Sequence, residues 1–499
     1  MNLNEGTLPK DVIQPLKSDA PLIIYIDLKS PYAYLSIEPT RNMLKELGVV
    51  ADWRPFVLDI PSYLGSARLG KGGKKVTKQN RTEEQWSDVK YAYFDCRRYA
   101  NLSEKTIRGT VKIWNTNLSA IGMLWLKSFY DLTEQSAQGS MLEQYIDAIF
   151  EPFWKRELDV EDSSVILRVL EQINGPSDGF LEYAQGEGAT LNAQLQESAF
   201  DQGIFGVPTF ILPNESVYDP QHEKFFGREH LPRISWLLGG RQGPAPDVAY
   251  QLTTEVDDTV LAKSALDARS APELMTIPQQ LTTFFDFKSP QSYLALKAIL
   301  ALKDEGISID WRPFVSKPMK KPAEKMAVED RSTMHRRIRG EYLANDIQRY
   351  SPVVLSLKGP VFGPVKDIYR EVECKFADMG LIWLQSQLKV NNDIIDDYVE
   401  SVFEHLWELD GSIESADDIV KLLLALETRH PKFFVKSRSI LIKGWQEYVQ
   451  GLGLIHLKET REEAKLKSFN MAPTFLLGSE PFRGQAQLPL IKARLKAGI

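Results

Sequence analysis

The chain has 499 residues, 43% hydrophobic and 10% aromatic, which excludes a disordered polymer and is enough apolar material for two large cores. Its formal net charge of -7 lacks the basic surplus that phosphate binding leaves on a domain, so nucleic acid is not an expected partner. No uninterrupted apolar run approaches the ~20 residues that span a bilayer, and the first residues show no basic start followed by an apolar stretch, so a soluble, cytoplasmic protein with no membrane partner is expected.

In chain order, residues 1–20 read as an N-terminal extension, and residues 21–27 as a short, β-branched, buried strand. Ser30-Pro31 follows, then apolar positions at helical spacing that end at Gly48, then a second strand over 49–57. This β-α-β unit predicts two parallel strands with a right-handed crossover. Residues from about 83 to 200 carry long stretches at helical period, among them 141–153 and 165–173. Residues 205–212 are strand-like around Pro208, which belongs at the start or edge of a ladder, and 231–238 form a last amphipathic helix. Residues 241–279 are rich in Gly, Pro, Ala, Ser and Asp and read as a linker.

The same order then returns. Strand 281–287, helix 290–305 stopping at Gly306, strand 307–315, a helical stretch from about 330 to 465, strand 469–477 around Pro473 and helix 488–495 repeat the first half. Asp27-Leu28-Lys29-Ser30-Pro31 reappears as Asp286-Phe287-Lys288-Ser289-Pro290, and Trp-Arg-Pro-Phe-Val stands at both 53–57 and 311–315. A repeated unit of nearly half the chain is too long for a solenoid and suits two whole domains, 21–240 and 280–499. The fold expected is α/β, two tandem thioredoxin-like domains, each with a helical insertion.

In such a core the turn between the first strand and first helix is where chemistry is expected, because the first N–H groups of the helix are unsatisfied. Ser30 and Ser289 occupy that turn. Ser followed by Pro is also an ordinary N-cap and first-turn pair, and a capping hydroxyl can still donate to a neighbouring thiolate. Pro208 and Pro473 are either edge prolines or cis residues that open the backbone of Val207 or Ala472 to an extended ligand. Cys96 and Cys374 form no CxxC pair, and their spacing makes no metal site.

Taken together, these motifs resemble the 2-hydroxychromene-2-carboxylate isomerase and kappa-class glutathione transferase branch of the DsbA-like thioredoxin superfamily. The resemblance also rests on Lys90, Tyr91, Asp95 and Arg98, on Phe153-Trp154 with Asp159, Val160 and Asp162, on Gly206-Val207-Pro208-Thr209-Phe210, and on Phe226-Gly227 with Leu231. It implies a glutathione-dependent isomerase or transferase in which Ser30 and Ser289 stabilise the glutathione thiolate. Ala33 and Ser292 stand where a redox pair would have its second Cys. Val207 and Ala472, before Pro208 and Pro473, would pair with the glutathione backbone, and Arg228-Glu229 and Gln485 with Ala486 would hold the γ-glutamyl end. The family has Ser or Gln and then Asp there, so each copy departs by a different residue.

The substrates implied are small aromatic or conjugated carboxylates, with Asn115, Arg54 and Arg312 as candidate contacts; each Arg equally fits a strand end packed on the helical stretch. The loop Lys71-Gly72-Gly73-Lys74-Lys75 is a further candidate for positive charge, or a solvated loop. The branch is typically dimeric, so an intramolecular pseudo-dimer is expected. Two other readings stand beside this one: a non-catalytic peptide- or protein-binding protein, and a DsbA-like protein that has lost its CxxC.

Overall fold

Strand β1 (Leu22–Ile26) is buried at every position, as a run with no polar alternation must be when both faces are covered. A computed structural model describes residues 13–70, 76–213, 222–252, 258–265, 280–351, 354–356, 359–361, 367–387, 392–432 and 438–498. Helix α1 (Pro31–Leu47) begins at the cap Ser30 and ends at Gly48, whose φ of 64° lets its N–H turn back onto Leu44 and Lys45 carbonyls. Strand β2 (Ala51–Pro55) returns parallel to β1, Leu22 opposite Ala51 and Ile26 opposite Pro55. Strand β3 (Thr209–Leu212) lies antiparallel on the other edge of β1, and β4 (Glu223–Phe226) completes the order β2-β1-β3-β4. Helix α2 (Leu231–Leu238) follows. Between β2 and β3 run the helices Glu83–Leu102, Asn117–Lys127, Met141–Trp154, Ser163–Gln172 and Glu187–Asp201.

The second sheet has the equivalent order. Strand β5 (Gln280–Phe285) and β6 (Ser308–Pro313) are parallel across helix α3 (Pro290–Leu300), and β7 (Thr474–Leu477) and β8 (Glu480–Arg483) close the series β8-β7-β5-β6 before helix α4 (Leu488–Ala497). Helix α3 stops at Leu300 rather than running on to 305. A 3₁₀ turn at Lys303–Glu305 takes its place, because burying Leu302 and returning the Ile307 N–H to the Leu302 carbonyl at 3.1 Å needs a tighter turn.

The protein is thus mixed α/β, and its chain divides into two compact units. One holds 1–256 with 263–266 and 325–338, the other 257–262 with 267–324 and 339–499. These limits depart from a division at 241–279. In the first unit, the ring of His335 stacks on Tyr63 at 4.2 Å, and Arg331 reaches both Asp59 at 3.2 Å and the ring of Phe200 at 4.1 Å. Nor is the whole of 241–279 a loose connector: the Ala249 N–H pairs with the Glu229 carbonyl at 2.9 Å, Arg233 donates to the Pro246 carbonyl at 2.7 Å, and Tyr250 packs on Tyr99. No helix among the described residues is long and apolar enough to cross a membrane.

One packing device occurs in both units. The Tyr145 hydroxyl donates to the Ser119 carbonyl at 3.0 Å across the bare face of Gly122, and Tyr398 does the same to the Ala377 carbonyl at 2.9 Å across Gly380. A Cβ on either glycine would meet the phenol oxygen well inside contact distance. Gly122→Ala should therefore cost about 1–3 kcal/mol of stability through overpacking. A urea melt indistinguishable from wild type would show that the tyrosine can move aside.

Candidate functional site

The turn after β1 is tied down on three sides. The buried Asp27 carboxylate accepts the Lys29 N–H at 3.3 Å, the Leu58 N–H at 2.7 Å and the Thr116 hydroxyl at 2.7 Å. Lys29, 8% exposed, holds its Nζ 3.5 Å from Asp27 and donates to the Trp114 carbonyl at 3.4 Å. The helical insertion is thereby fixed against the start of α1. Lys29, Asp27 and Thr116 were not among the residues expected at the site; the signal for Asp27 and Lys29 was the Asp-x-Lys-Ser-Pro string itself, present at both turns, whereas Thr116 lies outside it.

Ser30 caps α1. Its Oγ accepts the Ala33 N–H at 3.2 Å and donates to the Val207 carbonyl at 3.3 Å, both at the long end of the normal range. Ser289 repeats this, accepting the Ser292 N–H at 3.2 Å, with Gln291 Oε1 at 3.3 Å and the Ala472 carbonyl at 3.4 Å as acceptors for its proton. A hydroxyl so weakly engaged can redirect its proton to a stronger acceptor at the helix N-terminus, where negative charge is favoured. The Val207–Pro208 and Ala472–Pro473 bonds are cis. Both prolines stand just before the inner strands β3 and β7, where a missing N–H costs the ladder nothing. The Val207 and Ala472 N–H groups donate to no acceptor among the described residues.

The other expected contacts fall elsewhere. Arg54 is 3% exposed and paired with Asp52 at 2.6 Å, and it donates to the Gln14 and Lys17 carbonyls at 2.6 and 2.7 Å. It is a buried strut that pins the segment before β1. Arg312 is half-exposed, 3.0 Å from Asp310 on its own strand, and makes no bond to the Ser289 turn. Asn115 is exposed; its backbone N–H donates to Glu161 at 2.8 Å and its side-chain oxygen accepts from Asn117, which leaves it beside Trp114 and Thr116, the two residues that touch the Ser30 turn. The lysine loop at 71–75 lies outside the described residues.

Arg228 and Glu229 do not present an open γ-glutamyl site. Arg228 is 8% exposed, its guanidinium carbon 4.3 Å from the ring centres of both Tyr99 and Tyr250. The Glu229 side chain folds back over Gly227, and its carbonyl is taken by Ala249. In the second unit Gln485 is half-buried in a 3₁₀ turn beside the buried Ala486.

Cys96 and Cys374 are free and buried, and burial pushes both thiols up, away from the reactive thiolate. The described residues contain no cluster of metal-ligating side chains. A cavity of about 510 Å³ is lined by Trp114, Phe153, Arg156, Glu157 and Asp159 among others, and of these Trp114 also meets the Ser30 turn, through its carbonyl and Lys29. Its aromatic pair meets edge to face at 5.9 Å. Arg156 was missed at the sequence level because no pattern marks it; its φ of 63° brings the guanidinium to the Gly109 carbonyl.

The β2-β1-β3-β4 order, the capped helix and the cis-proline opposite it define a thioredoxin-like core whose first-helix turn carries serine in place of cysteine. No family model matches the chain. The 2-hydroxychromene-2-carboxylate isomerase of Sphingobium xenophagum is 22% identical over 221 residues, 43% of this chain and 96% of that protein. Among solved structures, a selenomethionine 2-hydroxychromene-2-carboxylate isomerase shares 16% identity over 44% of this chain and 94% of its own, with a TM-score of 0.32. A probable DsbA oxidoreductase of Streptomyces coelicolor shares 14% over 46% of this chain and 93% of its own, with a TM-score of 0.31. Superpositions at that score add nothing to the strand order already described. Over 43% of its length, the chain is thus similar in sequence to a 2-hydroxychromene-2-carboxylate isomerase.

Proposed function

We propose that the chain is a glutathione-dependent isomerase or transferase acting on a small conjugated or aromatic carboxylate, built by tandem duplication of one DsbA-like domain. The observation that carries this reading is the Ser30 hydroxyl, poised at a helix N-terminus between the Ala33 N–H and the Val207 carbonyl, with a Val207 N–H beside it that donates to no acceptor among the described residues. Those groups suit a thiolate and the peptide backbone attached to it. Held there, glutathione would supply a sulfur nucleophile for reversible addition to a conjugated double bond. The chain's part is to lower the thiol pKa through the Ser30 donor and the helix end, and to fix the peptide through Val207. Trp114 and Phe153 offer an aromatic wall for the substrate, and Arg156 a charge for its carboxylate.

Calorimetric titration of glutathione into the wild type, Ser30→Ala and Ser289→Ala tests the proposal. Binding weakened about tenfold by one substitution assigns the working unit, since a hydrogen bond to a charged group is worth about 1.5–3 kcal/mol. No heat in any of the three overturns it. The enclosure of Arg228 favours a second reading, a groove for an extended peptide pairing with Val207 or Ala472 without chemistry. Peptide binding with no glutathione binding would select it.

A further inference from the structure

Residues 325–338 belong to the first unit, although the residues on either side of them, 267–324 and 339–499, belong to the second. They form a strap that ends in the first two turns of the helix Arg331–Tyr350. The strap carries its own bracing. Asp330 accepts the Thr333 N–H at 2.8 Å, and the guanidinium of Arg337, 7% exposed, holds Glu329 through Nε at 3.0 Å and Nη2 at 2.8 Å. Sheet topology says what it docks on. Strands β1 and β2 are parallel and β3 is antiparallel to β1, so the ends of β1 and β2 and the start of β3 leave the sheet on the same side. An open α/β sheet takes its ligands on that side. Three chain segments emerge there: the Ser30 turn, the residues after β2, tied to it by the Leu58 N–H on Asp27, and the residues before β3, tied to it by the Val207 carbonyl.

The strap bridges the second and third of these segments. The ring of His335, 7% exposed, lies parallel to Tyr63 at 4.2 Å and edge to face with Phe205 at 5.8 Å. Arg331 pairs with Asp59 at 3.2 Å and lies over the ring of Phe200 at 4.1 Å. Phe205 stands two residues before Val207. An extended ligand advances about 3.3 Å per residue, so one that pairs with the Val207 backbone and runs on toward Phe205 draws level with the His335 contact within a few residues. We infer that the 325–338 strap closes that end of the first unit's groove, and that His335 is the residue that limits ligand length: a tripeptide is admitted, and a longer chain directed past Phe205 is refused. This limit rests on the Ser30–Val207 turn being a ligand site. A groove closed there suits glutathione better than a long peptide.

A thiol placed at the turn tests this without glutathione. Ser30→Cys in the full chain is reacted with two pyridyl disulfides, one of free cysteine and one of a peptide that has several residues on each side of its cysteine. Cys96 and Cys374 are buried, so the new thiol takes the fast label. The short probe should react at the same rate with Ser30→Cys alone and with Ser30→Cys combined with His335→Ala. The peptide should react slowly with the first and about tenfold faster with the second, because the clash that excludes it is gone. Arg331→Ala, which releases the other anchor, should open the groove in the same direction. His335→Phe keeps an aromatic ring against Tyr63 and should keep the peptide slow, which separates the wall from a general loosening of the fold. Equal peptide rates with and without the His335 ring, while the short probe still reacts, overturn the inference and leave the ligand site standing. A turn that neither probe reaches overturns the ligand site and the length limit together.

Discussion

Arg54→Met is expected to destabilise the protein by about 3–5 kcal/mol, because it strands one charge of a buried pair. Asp52 lies 5% exposed and accepts from Arg54 Nε and Nη2 at 2.9 and 2.6 Å, from Lys127 at 2.7 Å and from the Ser18 hydroxyl at 2.9 Å. Burial pushes the Asp52 carboxyl up, but the charges of Lys127 and Arg54 outweigh it and hold the group below the usual carboxylate range. Lys127 remains in the variant, so the loss should sit toward the lower end. The sign with pH follows from a folded pKa below the unfolded one. The contribution is complete above about pH 4 and fades on acidification, so the gap between wild type and Arg54→Met should narrow below that pH. Urea melts at pH 7 and at about pH 3 measure both. A loss under 1 kcal/mol at pH 7 would mean that Arg54 is not the strut described.

Asp378 should behave in the opposite sense. Fully buried in the second unit, its carboxyl is raised to about 7, mainly by burial, although Arg461 lies 2.6 Å away. Burial raises Asp286 too, and the Asp286 charge adds to the upward push on Asp378. An acid whose folded pKa exceeds its unfolded value holds its proton longer in the folded state. Its contribution is therefore greatest below about pH 4, falls as pH rises, and reaches its floor above about pH 7. Between the unfolded 3.8 and the folded value of about 7, the change is at most ~4 kcal/mol at 1.36 kcal/mol per unit. Asp378→Asn removes this slope, so wild type should lose stability relative to the variant between pH 5 and pH 8. Parallel stability curves across that range would place the Asp378 titration outside it.

The elements were largely legible because each carries its own local physics. The apolar run at β1, the Ser30 cap with Pro31, and the left-handed Gly48 fix where strand and helix begin and end without reference to the rest of the chain. Helix α3 shows where local reading fails. The pattern continues to 305, but burial of Leu302 in the assembled fold tightens the last turn. Arg54 fails for the same reason. Its sequence context, after a strand-borne Trp, suits a substrate contact as well as a strut, and only the fold puts Asp52, Gln14 and Lys17 around it. Residues 325–338 and 246–250 illustrate the limit for boundaries. Composition marks a linker at 241–279 and the repeat puts 325–338 in the second domain, but the rings of His335 and Tyr250 find partners in the first unit that no spacing announces.

By itself the sequence determined the α/β character of both halves, the serines at the two helix starts and the prolines before the inner strands, since caps, turn residues and hydrophobic period act over a few residues. Which polar groups meet was decided only by the tertiary structure. Lys29 against the Trp114 carbonyl, Ser30 against the Val207 carbonyl and Arg228 under Tyr250 join residues 85, 177 and 22 positions apart. Their hydrogen bonds and ring contacts depend on distances of a few tenths of an ångström, which packing sets and sequence spacing does not.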